Sequence, residues 1–169
     1  MIEGGLNKKM GRKKHILMDI DGVLCPFGQT EGKSEVYRIK AGWNSGYIRK
    51  DVALWMKNLG ENNHVVWFTT WLSEANKINK MLGIAEFEVI DVNSHNFHRE
   101  LWQKWGSLLK FCDDNKEDLV IVVDDDAPDD NEIKLMDKIK PSNLFIFKVK
   151  DPMRGLSYEE MQAIKECIG

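Results

Sequence analysis

Hydrophobic residues recur along the chain in two alternating rhythms. Short apolar runs rich in β-branched and aromatic residues, His15–Met18, His64–Phe68, Phe87–Ile90, Leu119–Val123 and Leu144–Val149, predict buried strands. Between them the period lengthens to that of a helix. Val52, Trp55, Met56 and Leu59 fall at i, i+3, i+4 and i+7, and Gly60 is expected to stop that helix. Ser73 is expected to cap a second, which turns Ala75, Ile78 and Leu82 inward and ends at Gly83. Leu101, Trp105, Leu108 and Cys112 make a third stripe. Asp129 with Glu132 predicts the start of a fourth helix, ending before Pro141, and Ser157 with Glu160 has capping-box spacing for a fifth. Strands alternating with helices predict an α/β fold: an open, mostly parallel sheet covered on both faces. In such sheets ligands sit beyond the carboxyl ends of the central strands.

The interval from Pro26 to Lys50 breaks this rhythm. It is Gly-rich and polar, and it fits either an ordinary surface loop or a hairpin turning near Ala41-Gly42-Trp43-Asn44 that would serve as a flap over the site. With 169 residues, 43% of them hydrophobic and 30% charged, the chain reads as one globular domain. Residues 1–14 are expected to form a basic, flexible tail, and residues 15–169 the domain, with 25–50 as the flap or small insertion. The longest aliphatic run, Leu119 to Val123, is far short of the ~20 apolar residues that span a bilayer, so no membrane partner is expected. The N-terminus does not read as an export signal, and three widely spaced cysteines, Cys25, Cys112 and Cys167, fit neither a disulfide framework nor a zinc site. A cytoplasmic location is expected.

The net charge of −3 conceals an uneven distribution. Residues 8–14 carry five cations, whereas residues 113–132 carry ten carboxylates, among them Asp124-Asp125-Asp126 directly after an apolar strand. Like charges so placed repel one another unless a cation gathers them. A second acidic string, Asp19-Ile20-Asp21-Gly22, follows the first strand, where a loop can hold two carboxylates at one fixed point. The same string opens EF-hand calcium loops, but the remaining oxygen ligands and the final Glu do not follow at the required spacing.

Asp19-Ile20-Asp21-Gly22-Val23-Leu24 resembles motif I of the haloacid dehalogenase (HAD) superfamily, and the superfamily's other motifs follow in order. Trp67-Phe68-Thr69-Thr70-Trp71 is similar to motif II, Lys104 (with Lys110 as the alternative) to motif III, and Val120-Ile121-Val122-Val123-Asp124-Asp125 to motif IV. With Pro26 and the Asp151-Pro152-Met153-Arg154-Gly155-Leu156-Ser157 segment, the nearest likeness is the HAD domain of Swiss Army Knife RNA repair proteins, over roughly residues 15–167. Cys25 stands where that pattern leads one to expect a polar residue, and Lys104 is followed by Trp-Gly-Ser.

The resemblance implies a three-layer Rossmann-like HAD fold with a minimal cap, and a Mg²⁺-dependent phosphohydrolase. In it Asp19 would be the nucleophile, Asp21 the general acid and base, and Thr69 and Lys104 the groups that steady the phosphoryl oxygens. Asp19, the Asp21 carbonyl, and Asp124 or Asp125 would hold the metal. The implied substrate is a phosphorylated molecule such as a nucleotide or an RNA or DNA end, with Thr70 as a second phosphate contact and Trp43 and Trp71 as substrate-binding aromatics; Trp102 is a further stacking candidate. Monomer and homodimer both fit. The alternative reading is a protein that binds a nucleotide or nucleotide-derived signal on the same scaffold without hydrolysing it.

Overall fold

The computed structural model describes residues 11–28, 35–92 and 102–169. Five strands, β1 (Lys14–Met18), β4 (His64–Trp67), β5 (Glu88–Val89), β6 (Leu119–Asp124) and β7 (Leu144–Lys148), form one sheet in the order β5-β4-β1-β6-β7. Every pairing in it is parallel. The chain builds outward from β1 to one edge and then returns to build the other. The topological switch point therefore lies at β1, flanked by β4 and β6, as the α/β rhythm predicts.

Side chains alternate across each strand, so neighbouring residues enter different cores. Ile16, Met18, Val65, Trp67, Ile121 and Val123 face one side, where α1 (Lys50–Asn62), α2 (Asn76–Leu82) and α5 (Tyr158–Ile168) cover them. Leu17, Val66, Phe68, Val120 and Val122 face the other, beneath α3 (Trp105–Asp114) and α4 (Asp130–Leu135). Burying each large aliphatic side chain contributes roughly 1.5–3 kcal/mol, which is why the three layers hold without a disulfide. This is the three-layer, Rossmann-like arrangement expected from the sequence.

The hairpin also forms. β2 (Val36–Ala41) and β3 (Asn44–Arg49) pair antiparallel, with Ala41 opposite Asn44 and Gly42 at φ 62° in the two-residue turn. Ile39, Ala41 and Ile48 are buried in the core beneath α1, so the flap is anchored. Residues 29–34 of the expected flap, Leu101 of the third stripe, and Lys8 and Lys9 of the basic tail lie outside the described residues. Arg12 donates to the Glu117 carbonyl, and Lys14, expected in the tail, is the first residue of β1.

Capping boxes form at Asp129 and Ser157 as expected, and α4 ends at Leu135, before Pro141. Two other element ends differ from expectation. Ser73 caps nothing: a 3₁₀ turn, Leu72–Ala75, precedes α2, whose N-cap is Ala75, though Gly83 closes it in the left-handed conformation. Gly60 does not stop α1, which continues to Asn62. Its reason is packing, because a Cβ on Gly60 would lie 2.5 Å from Phe87 Cζ and 3.0 Å from Ile84 Cδ1. Alanine in place of a helical glycine normally stabilises by up to ~1 kcal/mol. Here Gly60→Ala is expected to destabilise by about 1–2 kcal/mol through overpacking, read as a lower urea midpoint at unchanged slope.

Candidate functional site

The carboxyl ends of β1, β4 and β6 bring the two acidic motifs and the Thr69-Thr70 motif to one end of the sheet. The ladder continues one residue past β1, where the Asp19 amide donates to the Val123 carbonyl at 3.0 Å and the Phe68 amide to the Met18 carbonyl at 2.9 Å. Asp19 thus leaves the sheet on a fixed backbone. The chain then coils tightly, with the amides of Val23, Leu24 and Cys25 all returning to the Ile20 carbonyl, and Asp21 bridges to Cys25. Asp124 closes β6, and its Oδ1 accepts from the Asp126 amide at 2.8 Å.

Asp19, Asp124 and Asp125 each offer a carboxylate oxygen, and these oxygens lie within 4.8 Å of one another. Asp126 is exposed and outside the cluster. Lys104, just before α3, reaches in from the opposite layer. Its Nζ lies 2.9 Å from Asp19 Oδ2 and 2.6 Å from Asp124 Oδ2, and it donates to the Phe68 carbonyl at 3.0 Å. The rings of Phe68 and Trp102 stand 5.4 and 5.6 Å from the ammonium. Lys110, the alternative, is on the surface and pairs with Asp114 at 2.7 Å.

The electrostatics follow from four carboxylates gathered around one ammonium. Burial, then the Asp19 charge, pushes Asp124 up to about 7, with Lys104 opposing. Asp125 is raised by the same two causes. Burial also raises Asp21, against a hydrogen bond from Trp71 and reinforced by Asp19. For Lys104 burial works against the charge, but Asp19 and Asp124 outweigh it and hold the ammonium above its ordinary range. The cluster is short of positive charge. Its donors are hard oxygens, the set that suits Mg²⁺ rather than a soft metal. The residues present fit that ion.

Around this centre the expected contacts divide. Thr69 is buried at the end of β4, where its hydroxyl accepts from the Trp71 amide at 3.4 Å and keeps its own proton to donate; Thr70 is exposed at the rim. The turn is tight enough to force Leu72 to φ 50°. Trp71 is not an open stacking surface. It is 2% exposed, and its Nε1 donates to Asp21 Oδ2 at 2.8 Å, fixing that carboxylate. Trp102 is likewise buried, at 6% exposure, as a wall of the Lys104 pocket. Trp43 is fully exposed at the hairpin turn.

Sequence reasoning missed Phe27. Its Cε2 and Asp125 Oδ2 lie 2.9 and 2.5 Å from the point a Cβ on Gly22 would occupy, and the ring is 57% exposed. The only available signal was its place three residues past the Asp-Gly-Val-Leu string. Gly22, at φ +70°, is required by the same crowding. Gly22→Ala is expected to lose about 1–2 kcal/mol from the left-handed backbone alone and to displace Asp125, which unfolding and Mg²⁺ titration would report. Cys25 lies under the hairpin beside Gly46, its thiol pushed up to about 12 by burial and by Asp21 and Asp19, so it is no nucleophile. His15 and His64 bond each other at the amino ends of β1 and β4, away from the cluster.

A family model of the HAD domain in Swiss Army Knife RNA repair proteins matches residues 15–159. No curated protein matches the chain. No helix among the described residues is long and apolar enough to cross a membrane.

Proposed function

The chain belongs to the family of HAD domains in Swiss Army Knife RNA repair proteins, and from that membership and the acidic site we propose a Mg²⁺-dependent phosphohydrolase that removes phosphate from a nucleotide or nucleic-acid end. The observation that carries the reading is the convergence of Asp19, Asp124 and Asp125 with the buried Lys104. Asp19, Asp124 or Asp125, and the Asp21 carbonyl would hold Mg²⁺. When bound, the ion supplies the positive charge that lets an anionic nucleophile approach a phosphoryl group.

A carboxylate oxygen of Asp19 attacks phosphorus in line, and the bond from phosphorus to the leaving oxygen breaks. Asp21 gives its proton to that oxygen. Its raised affinity for the proton and its fixed hydrogen bond to Trp71 suit the task. Water then attacks the aspartyl-phosphate, Asp21 takes the water's proton, and phosphate leaves with the Asp19 carboxylate restored. Lys104 and the Thr69 hydroxyl balance charge on the phosphoryl oxygens during both displacements.

Among the described residues the hairpin is the element that lies between β1 and α1, which supports a minimal cap and a rim open to a bulky substrate. The test is phosphate release from mononucleotides, 3′- and 5′-phosphorylated oligonucleotides and sugar phosphates, with Mg²⁺ and with a chelator. Release that needs Mg²⁺ and favours nucleotide or oligonucleotide substrates is expected. Tight retention of unchanged nucleotide without release would replace the hydrolase by a binding protein.

A further inference from the structure

We propose that the outward face of the β2–β3 hairpin is an anion site that seats a backbone phosphate of a nucleic-acid strand, upstream of the end delivered to the acidic cluster. The binding half stands on the hairpin itself, and the delivery half rests on the hydrolase reading above.

Register sorts the hairpin into two unlike faces. Ile39, Ala41 and Ile48 turn inward and are buried, which puts the pairs Arg38 with Tyr47, Lys40 with Ser45, and Val36 with Arg49 on the outer face. Three cations therefore share one side of a two-stranded ribbon. Arg49 is already committed, to Asp51 and to the carbonyls of Arg154 and Leu156. Arg38 and Lys40 are exposed and form no ion pair among the described residues, in a chain that carries more carboxylates than cations. Lys57, Lys77, Lys110, Lys140 and Lys148 all have carboxylate partners.

A cavity of about 680 Å³ opens on this face, lined by Arg38, Lys40, Ser45 and Tyr47 with Val36. The Tyr47 hydroxyl is buried and has no hydrogen-bond partner, alone in this among the described buried side-chain atoms. A buried donor without an acceptor asks for one. Arg38 and Lys40 line the same cavity as Tyr47, and the ligand atom that suits a guanidinium, an ammonium and a hydroxyl donor alike is an anionic oxygen, with phosphate matching the planar guanidinium fork best.

Position argues for a strand over a lone ion. The inner face of the ribbon rests on Cys25, which bridges to Asp21, and the turn at Gly42 stands beside Glu74, just past Thr69 and Thr70. A molecule that fills both the cavity and the acidic centre carries phosphates in series, as a polynucleotide does.

Fluorescence anisotropy of a labelled single-stranded oligoribonucleotide with a terminal phosphate tests this, using full-length Asp19→Asn protein at several salt concentrations. In that background Arg38→Ala with Lys40→Ala is expected to weaken binding by roughly 10-fold or more. The same pair should flatten the log–log salt dependence by about 1.4, or ~0.7 for each lost contact to a single strand. Tyr47→Phe should weaken binding about fivefold and leave the slope unchanged. Unaltered affinity in the double variant, an unaltered slope, or displacement of the oligonucleotide by equimolar inorganic phosphate would each overturn the proposal. Release of phosphate from a mononucleotide by the otherwise native chain should survive Arg38→Ala with Lys40→Ala. Strand binding that depends on these residues, without any phosphate release, would sink the hydrolase reading and leave the anion site standing.

Discussion

Asp19→Asn is expected to reduce phosphate release by a factor on the order of 10⁴ or more while the protein stays folded. An amide cannot supply the negative oxygen that the first displacement consumes, so no second route to the intermediate remains. Stability should change little, for a reason specific to this cluster. Lys104 keeps Asp124 at 2.6 Å, and the substitution removes one charge from a group already short of cations. Unfolding free energies of the two proteins should agree to within about 1 kcal/mol, consistent with a conservative change that leaves a partner in place. Turnover retained in the variant would show that Asp19 is not the nucleophile. Gross unfolding would show that it is a structural anchor.

Lys104→Met should produce the opposite balance, a large loss of both activity and stability. Removing one partner of a buried ion pair typically costs about 3–5 kcal/mol, because the other charge is stranded. Here two carboxylates are stranded, Asp19 and Asp124, both largely out of water. Loss of a positive group facing the phosphoryl oxygens should lower turnover by roughly 10²–10³. The pH dependence has a definite sign. Asp124 has a higher pKa in the folded protein, about 7, than in the unfolded chain, so the folded state holds a proton that the unfolded state releases. Stability therefore falls as the pH rises from about 4 towards 7, and the fall should be steeper without Lys104. Added Mg²⁺ should recover part of it. Urea titrations across that range, with and without the ion, measure both effects; a flat profile would remove the electrostatic account.

Much of the fold was legible because the two hydrophobic periods differ so clearly. Leu119–Val123 and His15–Met18 read as strands on composition alone, and the capping boxes at Asp129 and Ser157 formed where their spacing placed them. Local rules failed where a distant residue intervened. Gly60 looked like a stop and is instead a close approach to Phe87. Ser73 had the chemistry of a cap but fell inside a 3₁₀ turn set by the strained exit from β4. Trp71 and Trp102 had the right residue type for stacking, and only their burial, against Asp21 and Lys104, shows that they hold the site's own side chains.

By itself, the chain's order of residues determined an α/β sheet, acidic residues at its strand ends and the family likeness of its motifs, since each depends on neighbours a few positions apart. Tertiary structure alone decided which lysine joins the aspartates, which member of the triplet stays outside, and which aromatics remain open to solvent. Those outcomes turn on residues tens of positions apart meeting across two packed layers. One local pattern is compatible with many such meetings, and the packed layers select one.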